Sequence, residues 1–314
     1  MLAFLASLAT CSLFLPHEEK SFLTWMRSTN QIYTGDEYQL RLGIFVSNSR
    51  LIKEHNSKNT KFSVGLNKFA AYTPSEYKSL LGFISKSKGR VAVKTTRRVN
   101  ADSLDWREKN VVNGVQNQGQ CGSCWAFSAV QAVESADAIA TGKLYKFSEQ
   151  EIVDCVTSCS GCGGGLMTDA YDYVIKNQGG QFVLADDYKY KGVEGTCEFD
   201  KYEHYGSLSG YVNIVEGDED DLCAKLQLGP VAVAIDASNW SFQLYTRGIY
   251  DEPSCSPSNL DHGVGLIGYG SEGKTKYWIV RNSWGSLWGE QGYIRMIWNN
   301  NQCGIATMAT LPSP

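Results

Sequence analysis

Apolar residues near the start of the chain recur at the spacing of an amphipathic helix, with polar residues between them. Over residues 18–56 this pattern predicts two helices, because apolar positions three and four residues apart share one helix face. Phe22, Trp25 and Met26 form the stripe of the first helix. The stripe of the second helix consists of Leu40, Ile44, Phe45 and Ile52. The pattern therefore predicts a pair of helices on the N-terminal side of the protein.

The last third of the chain has a different pattern, with short apolar runs that are typical of strands. These runs lie at residues 231–235, 264–270, 277–280 and 292–296. Between the two regions, a polar loop over residues 116–123 passes into an amphipathic helix that begins near Cys124. With 314 residues and 43% hydrophobic content, the chain is long enough to bury a full core.

The first fifteen residues are mostly apolar, and the run stops at Pro16 and the charged residues 17–20. Because this run is too short to span a bilayer, residues 1–16 are predicted to be a secretory signal peptide. Ten cysteines also indicate an oxidising compartment. No later segment reaches the length of a membrane span. We therefore expect a product of the secretory pathway, in a lysosome-like compartment or outside the cell, with no membrane partner.

The two parts of the chain carry opposite charge. Residues 1–100 contain 15 Lys and Arg against 6 Asp and Glu, a net charge of +9, whereas residues 101–314 contain 14 against 27, a net charge of −13. A basic segment on an acidic body is typical either of a nucleic-acid-binding arm or of a part with an intramolecular partner. The basic residues are scattered along a helical pattern, so we expect the intramolecular partner and no nucleic acid. The basic cluster over residues 86–98 predicts an exposed linker that is open to proteolytic processing.

Cys124 is the candidate nucleophile, because it stands where the polar loop becomes a helix. The unpaired N–H groups and partial positive charge of a helix N-terminus favour the thiolate form. Three other roles compete: a thioredoxin-type redox pair, a structural disulfide and a zinc site. The ligands of such a zinc site would be Cys121, Cys124, Cys159 and Cys162. Trp125 and Phe127 argue against zinc, since zinc ligands rarely open an apolar helix, and we expect no metal.

The residues around Cys124 match a known signature. Residues 121–125 read Cys-Gly-Ser-Cys-Trp, and His262 and Asn282 follow 138 and 158 positions after Cys124. This arrangement resembles that of the papain-family cysteine proteases, and the resemblance extends over nearly every residue from Asp105 to the C-terminus. It implies a thiol peptidase that needs no cofactor.

The helical N-terminal part resembles the inhibitory prosegment of cathepsin L-like members of this family. All six positions of its interspersed helix motif are matched, namely Glu37, Arg41, Phe45, Asn48, Ile52 and Asn56. A second motif, Gly65-x-Asn67-x-Phe69, departs from the family pattern because Ala71 stands where an aspartate is usual. The resemblance divides the chain into the signal peptide 1–16, a helical inhibitory propeptide 17–99 and a papain-like peptidase domain 100–314.

The fold that the resemblance implies is α+β. A helical left subdomain begins with the Cys124 helix, a right subdomain of antiparallel, β-barrel-like strands begins at about Gly210, and the active-site cleft lies between them. Residues 250–261 contain no histidine pair, so nothing resembles the occluding loop of carboxydipeptidase members and an endopeptidase is favoured. Since acid protonates carboxylates of the acidic domain, we expect activation of the zymogen to be faster at about pH 4–5 than near pH 7.

Four residues carry the chemistry that the resemblance implies. Cys124 is the nucleophile, and His262, as an imidazolium, stabilises its thiolate and gives a proton to the leaving amine. Asn282 orients the imidazole through its amide oxygen. Gln118 and the backbone N–H of Cys124 stabilise the oxyanion, and Trp284 shields the contact between Asn282 and His262 from water.

Peptide binding is assigned, by the same resemblance, to a glycine-rich run and an apolar pocket. Gly164 and Gly165 lie beside the nucleophile and would pair with the substrate backbone, since glycine permits close approach. The pocket for the second residue before the cut would be lined by Leu166, Met167, Ala234, Leu260 and Met308. Asp261 and Trp284 complete the predicted binding surface. An apolar pocket predicts a preference for Leu, Val or Phe and poor acceptance of Arg.

Disulfide pairing also follows from the resemblance, which implies Cys121–Cys162, Cys155–Cys197 and Cys255–Cys303. Cys159 and Cys223 have no partner in the family pattern. The expected partners are polypeptide substrates, the chain's own propeptide, and cystatin-type or small thiol-reactive inhibitors, with the enzyme a monomer. An inactive binding protein on the same scaffold is the alternative. It requires the loss of Cys124, His262 or Asn282, and all three are present.

Overall fold

The computed structural model describes residues 14–58, 60–85, 91–95 and 102–314. Its α-helices are α1 (Pro16–Ser28), α2 (Gly35–Asn56), α3 (Pro74–Ser79), α4 (Cys124–Thr141), α5 (Glu149–Cys155), α6 (Met167–Asn177), α7 (Glu219–Leu226) and α8 (Trp240–Gln243). Its strands are β1 (Phe62–Val64), β2 (Leu104–Asp105), β3 (Gly210–Asn213), β4 (Val231–Ile235), β5 (Tyr245–Tyr250), β6 (His262–Glu272), β7 (Thr275–Arg281), β8 (Tyr293–Ile297) and β9 (Met308–Ser313). No helix within these residues is long and apolar enough to cross a membrane.

Most of the predicted signal peptide, residues 1–13, lies outside the described residues. Pro16, the last residue assigned to that peptide, is the first residue of α1. Of the predicted basic linker, residues 86–90 and 96–98 also lie outside the described part of the chain.

The strands form a sheet in the order β1-β5-β8-β7-β6-β4-β9-β3, with β2 paired to β6. Neighbours are antiparallel except β5 and β8, which run parallel with Ile249 opposite Arg295. The α+β class of the sequence analysis is confirmed. The sheet is nevertheless open and not a closed barrel, because β1 and β3 lie at opposite ends of the described strand order.

Helix α4 is the centre of the helical subdomain. Every residue from Cys124 to Ala138 is buried, and the helix packs against β6 on one side and α6 on another. It ends at Gly142, whose φ of 75° is left-handed and suits glycine as a helix terminator. Because packing fixes this helix along its length, the position of Cys124 in its first turn is fixed as well.

The two helices predicted over residues 18–56 are observed as α1 and α2, and aromatic rings join them. The ring of Phe22 lies 5.7 Å from that of Trp25 and 5.2 Å from that of Phe45, centroid to centroid. The asparagines of the interspersed motif bind backbone of the segment after α2. Nδ2 of Asn48 donates to the carbonyl oxygen of Ala70 at 2.8 Å. The motif therefore holds the polypeptide that leads from α2 to the cleft.

The N-terminal part of the chain, the expected prosegment, extends the sheet of the expected peptidase domain. Strand β1 pairs antiparallel with the edge strand β5, with Phe62 opposite Gly248. Main-chain pairing at a sheet edge needs no particular side chains, which explains why the sequence did not predict it.

Candidate active site

Cys124 lies at the start of α4 with its side chain completely buried. Two backbone N–H groups donate to Sγ, that of Gly82 in the prosegment at 3.2 Å and that of Gly263 in β6 at 3.4 Å. Burial nevertheless raises the pKa of the thiol to about 12, because the loss of hydration outweighs these donors. With the prosegment in place, burial thus favours the neutral thiol over the thiolate, and the thiolate that the sequence analysis expects stays a prediction for the active enzyme.

His262 is the first residue of β6, at the strand start that the sequence predicted, and its ring is buried. Nε2 lies 2.8 Å from Oδ1 of Asn282, which directly follows β7. Nδ1 has no hydrogen-bond partner among the described residues. Burial lowers the pKa of His262 to about 4, and the bond to Asn282 opposes this shift without cancelling it. The imidazole is therefore neutral near pH 7.

The turn after β7 directs Asn282 and Trp284 toward the imidazole. Oδ1 of Asn282 also accepts from the backbone N–H of Ser283 at 2.7 Å, which fixes the orientation of the amide. The indole of Trp284 lies 4.7 Å from the imidazole of His262, centroid to centroid, and Tyr77 of the prosegment lies 5.8 Å from the same indole. Trp284 is 1% exposed. The indole and the prosegment together keep water from the bond between Asn282 and His262.

Gln118 is buried in the loop before α4, and its side chain bonds at both ends. Oε1 accepts from Oγ of Ser283 at 2.8 Å and from Nε1 of Trp284 at 3.1 Å, so the amide cannot turn. Nε2 donates to the carbonyl oxygen of Cys121 at 2.8 Å and to that of Leu80, in the prosegment, at 2.9 Å. The donor that the sequence assigned to the oxyanion thus binds a peptide carbonyl.

Tyr190 belongs to the site, although sequence reasoning missed it. Its hydroxyl donates to the carbonyl oxygen of Gln118 at 2.8 Å and lies 2.6 Å from Oγ of Ser123, the residue before Cys124. One hydroxyl therefore joins the Gln118 loop to the start of α4. No motif surrounds Tyr190 in the sequence, because only the folded chain brings it to this loop.

Residues 80–84 of the prosegment pass through the cleft as an extended peptide. The N–H of Gly165 donates to the carbonyl oxygen of Gly82 at 2.9 Å, and the N–H of Ile84 donates to that of Gly165 at 3.0 Å. The N–H of Phe83 donates to the carbonyl oxygen of Asp261 at 3.0 Å. Gly165 and Asp261, both predicted to bind substrate, therefore bind prosegment backbone here.

Glycines allow this segment to approach closely. A Cβ on Gly82 would lie 1.7 Å from the carbonyl oxygen of Gly122, and one on Gly164 would lie 2.8 Å from the carbonyl oxygen of Gly82. Gly164 also has a φ of 120°, which L-residues rarely adopt. The close approach places an N–H of the prosegment, and not a carbonyl carbon, against Sγ of Cys124. Because an N–H is not an electrophile, the sulfur has nothing to attack there.

Phe83 occupies an apolar pocket beside this backbone, and its side chain is only 5% exposed. It belongs to a buried cluster that contains four of the predicted pocket residues, with the fifth packed against the cluster. These residues are Leu166, Met167, Ala234, Leu260 and Met308. The structure therefore brings all five into one apolar environment with an aromatic side chain.

The structure contains the disulfides Cys121–Cys162, Cys155–Cys197 and Cys255–Cys303. Because Cys121 and Cys162 are bonded to each other, they are not available as zinc ligands, and Cys121 does not form a redox pair with Cys124. No cluster of three or more potential metal ligands is found in the described part of the chain. The N–H of Gly122 donates to the carbonyl oxygen of Cys162 at 2.9 Å, so the bridge braces the loop before α4.

Comparison with known families agrees with this geometry. The model of the papain family cysteine proteases matches residues 100–313, and that of the cathepsin propeptide inhibitor domain (I29) matches residues 22–77. The chain belongs to the papain family of cysteine proteases. It is a cysteine endopeptidase with an N-terminal inhibitory prosegment of the cathepsin type, which confirms the resemblance seen in the sequence.

Relatives cover most of the chain. It is 43% identical over 307 residues to cysteine proteinase 3 of Dictyostelium discoideum, across 94% of this chain and 90% of that protein. It is 43% identical over 297 residues to cathepsin L of Sarcophaga peregrina, across 88% and 87% respectively. The structure of digestive procathepsin L2 from Tenebrio molitor larval midgut aligns with a TM-score of 0.88 at 36% identity, covering 95% of this chain and all of that one.

The substitution Gly82→Ala tests the close approach of the prosegment to Sγ. Its Cβ collides with backbone atoms that have no room to move, and overpacking of this kind costs about 1–3 kcal/mol. We expect segment 80–84 to be displaced and the full-length chain to hydrolyse a fluorogenic peptide amide about 5- to 150-fold faster near pH 7.

The matched control is Gly114→Ala, because a Cβ at Gly114 meets no atom within 4 Å. Initial rates are read before processing begins, with intact mass confirming full-length chain. Equal rates for the two variants would show that the contact at Gly82 does not restrain activity.

Proposed function

We propose that Cys124, His262 and Asn282 form the catalytic triad of this endopeptidase and that Gln118 stabilises the oxyanion. The observation that carries the proposal is the hydrogen bond of 2.9 Å between Nε2 of Gln118 and the carbonyl oxygen of Leu80. A peptide carbonyl is bound by a donor in the loop that leads to the buried thiol. The cleft is therefore suited to hold a substrate carbonyl beside Sγ.

Cys124 and His262 change from an inactive to an active pair when segment 80–84 leaves the cleft. Water then reaches Sγ and the imidazole, so the desolvation that raises the pKa of Cys124 and lowers that of His262 is relieved. The thiol proton passes to Nδ1 of His262, while Nε2 keeps its hydrogen bond to Asn282. The product is a thiolate at a helix N-terminus beside an imidazolium, each of which stabilises the other.

Catalysis follows in two halves. Sγ of Cys124 attacks the scissile carbonyl carbon, and the oxyanion forms at Nε2 of Gln118 and the N–H of Cys124. The C–N bond breaks as His262 gives its proton to the leaving amine, which leaves an acyl-enzyme. His262 then takes a proton from water as the hydroxide attacks the thioester carbon. The C–S bond breaks, the carboxylic acid is released, and Sγ leaves as the thiolate beside the imidazolium, which restores the original pair.

The substitution Cys124→Ala tests the nucleophile directly. We expect peptide hydrolysis to be abolished, because no other side chain of the triad can form the thioester. Activity of the purified variant is measured with a fluorogenic peptide after processing by added wild-type enzyme, and circular dichroism checks the fold. Undiminished turnover would sink the mechanism, whereas an unfolded variant directs the test to Cys124→Ser, for which we expect at least a hundredfold loss.

We also propose that the pocket selects an apolar residue two positions before the cut. Phe83 supports this proposal, since its aromatic side chain is buried in the same apolar cluster as Leu166, Leu260 and their neighbours. Leu, Val and Phe are the expected side chains. Arg is disfavoured because none of the five pocket residues carries a carboxylate to pair with it.

Acid activation is the third part of the proposal, and ion pairs between the two parts of the chain support it. Nζ of Lys61 lies 2.6 Å from Oδ2 of Asp251, and Nζ of Lys94 lies 2.6 Å from Oδ2 of Asp218. The hydrogen bond from Lys94 lowers the pKa of Asp218 below its ordinary 3.8. This contact therefore stabilises the docked prosegment fully above pH 3.8 and is lost as the pH falls through the lowered value, so it favours release only at the acid end of the proposed range and not between pH 7 and pH 5.

Within the prosegment, Arg41 joins α2 to the start of α3. Its guanidinium hydrogen-bonds both carboxylate oxygens of Glu76 and donates to the carbonyl oxygen of Ala71 at 2.9 Å. This pairing lowers the pKa of Glu76 from 4.5 to about 2. The stabilisation is complete above pH 4.5 and is lost progressively as the pH falls from 4.5 toward 2. The second motif of this chain has Ala71 where an aspartate is usual, and the carboxylate that pairs with Arg41 is that of Glu76.

The substitution Glu76→Gln removes this pair at every pH. We expect autoprocessing of the full-length chain at pH 6 to accelerate about two- to fivefold, as for a partly exposed ion pair. The ratio of the rates at pH 4 and pH 6 should fall, because the titrating carboxylate is gone. Glu54→Gln is the control, since Glu54 pairs with Lys58 on the exposed face of α2. Equal acceleration in both variants, or none in Glu76→Gln, would rule out this role.

The remaining expectations belong to the same proposal. Because the chain has such a prosegment, we expect it to pass through the secretory pathway to a lysosome-like compartment or to the outside of the cell. Cystatin-type and small thiol-reactive inhibitors, and a monomeric enzyme, stay predictions.

A further inference from the structure

Residues 91–95 of the prosegment are seated on a second surface of the peptidase domain, beside α7. The backbone N–H of Thr95 donates to Oδ1 of Asp221 at 2.7 Å. Nζ of Lys225 donates to the carbonyl oxygen of Val93 at 2.9 Å. A carboxylate and an ammonium of the peptidase domain thus bind the two kinds of polar backbone group of an extended peptide.

Neighbouring residues add a charge contact and a strand contact. Nζ of Lys94 lies 2.6 Å from Oδ2 of Asp218. Ala92 forms a parallel bridge with Asn213 of the edge strand β3, and Nδ2 of Asn213 donates to the carbonyl oxygen of Val91 at 3.1 Å. Every residue from 91 to 95 therefore contacts this surface.

The surface is built by the peptidase domain itself. Oδ2 of Asp221 accepts from the N–H of Val215 at 2.8 Å, and Nζ of Lys225 lies 2.7 and 2.6 Å from the two carboxylate oxygens of Asp221. Oδ1 of Asp218 caps α7 by accepting from the N–H of Asp221 at 2.9 Å. We call Asn213, Asp218, Asp221 and Lys225 the clamp. None of these internal bonds involves the prosegment, so the clamp persists when the prosegment is removed.

Removal of residues 91–95 leaves the clamp with unfilled bonds. Asp221 loses the N–H of Thr95 and Lys225 loses the carbonyl of Val93, while in the zymogen the side chains of both are at most 4% exposed. The carboxylate of Asp221 and the ammonium of Lys225 are then open to water, and each can bond the backbone of a new peptide in place of the one that left. The outer edge of β3 also opens, and such an edge readily pairs with an extended peptide.

A cavity of about 780 Å³ connects the clamp with the substrate pocket. Its lining includes Leu166 and Met308 of the pocket and Asn213 and Lys225 of the clamp. From Phe83 in the pocket to Val91 at the clamp the prosegment has eight residues, which span at most about 26–29 Å. One extended polypeptide can therefore occupy both places.

The direction of a substrate follows from the proposed function, on which this inference rests. The pocket holds the second residue before the cut. The part of the substrate that continues past the pocket, away from Sγ, is therefore N-terminal to that residue. The prosegment contacts Gln118 through Leu80 before it fills the pocket with Phe83, and it runs in the opposite direction.

We propose that, after the prosegment leaves, the clamp binds an extended, lysine- or arginine-bearing segment of the polypeptide substrate about eight to twelve residues before the pocket residue. The backbone of that segment bonds Asp221 and Lys225, and its basic side chain pairs with Asp218. The surroundings favour a basic segment, since residues 216–221 contain five carboxylates. Long unfolded substrates with a basic residue at this distance are bound at two places.

The first test measures binding without catalysis. Processed enzyme, alkylated at Cys124, is titrated with a fluorescent peptide of sequence Thr-Lys-Val-Ala-Val, which is residues 91–95 in reverse order. We expect the anisotropy to rise to saturation, and the affinity to weaken as the salt concentration increases. The affinity should be about two- to fivefold lower in Asp218→Asn. Asp251→Asn is the matched control, because Asp251 also pairs with a prosegment lysine but lies outside the clamp. Absence of binding, or equal loss in both variants, overturns the proposal.

The second test measures cleavage. Two fluorogenic peptides share one cleavable core and carry N-terminal extensions that differ only in Lys or Glu about ten residues before the pocket residue. We expect a two- to fivefold lower KM for the Lys peptide at equal kcat, a difference that disappears in Asp218→Asn and remains in Asp251→Asn. Equal KM values overturn the proposal, as does a processed enzyme whose mass shows that residues 91–95 are retained. Failure to cleave either peptide while anisotropy reports binding would instead contradict the catalytic proposal.

Discussion

Exclusion of water from Cys124 and His262 is the constraint on which the zymogen depends. Residues 80–84 of the prosegment cover Sγ, and Trp284 covers the imidazole. Both pKa shifts have the sign of desolvation, since the thiol is raised and the imidazole is lowered. The proton therefore stays on sulfur. If Cys124 and His262 have the catalytic roles proposed above, inhibition and catalysis are two hydration states of one pair of side chains.

The second sequence motif explains how the covering segment is held. Nδ2 of Asn67 donates to the carbonyl oxygen of Gln243 at 2.8 Å, and Nε2 of Gln243 donates to that of Phe69 at 2.9 Å. The ring of Phe69 then packs edge-on against Trp284 at 5.2 Å. Gly65 allows the approach, because a Cβ there would lie 2.8 Å from a methyl group of Thr246. The motif thus ties prosegment backbone to the wall of the active site.

Local pattern was sufficient to predict α1, α2, the start of α4 and the strand that begins at His262. These features depend on periodicity and on neighbours in sequence. The burial of Cys124 beneath Gly82 was not foreseen, because a helix N-terminus is a local effect whereas this burial is a tertiary one. The role of Tyr190 and the pairing of β1 with the sheet were missed for the same reason. Contacts between distant backbone segments leave no periodic signal in the sequence.

The most direct measurement is the pH dependence of alkylation of Cys124 by iodoacetamide, before and after prosegment removal. Short exposures and intact mass separate full-length chain from processed enzyme, and peptide mapping assigns the modified cysteine. We expect the processed enzyme to react already near pH 5, whereas the full-length chain should show no plateau below about pH 9, as for a thiol without an ion-pair partner. The same profile for both forms would contradict this expectation.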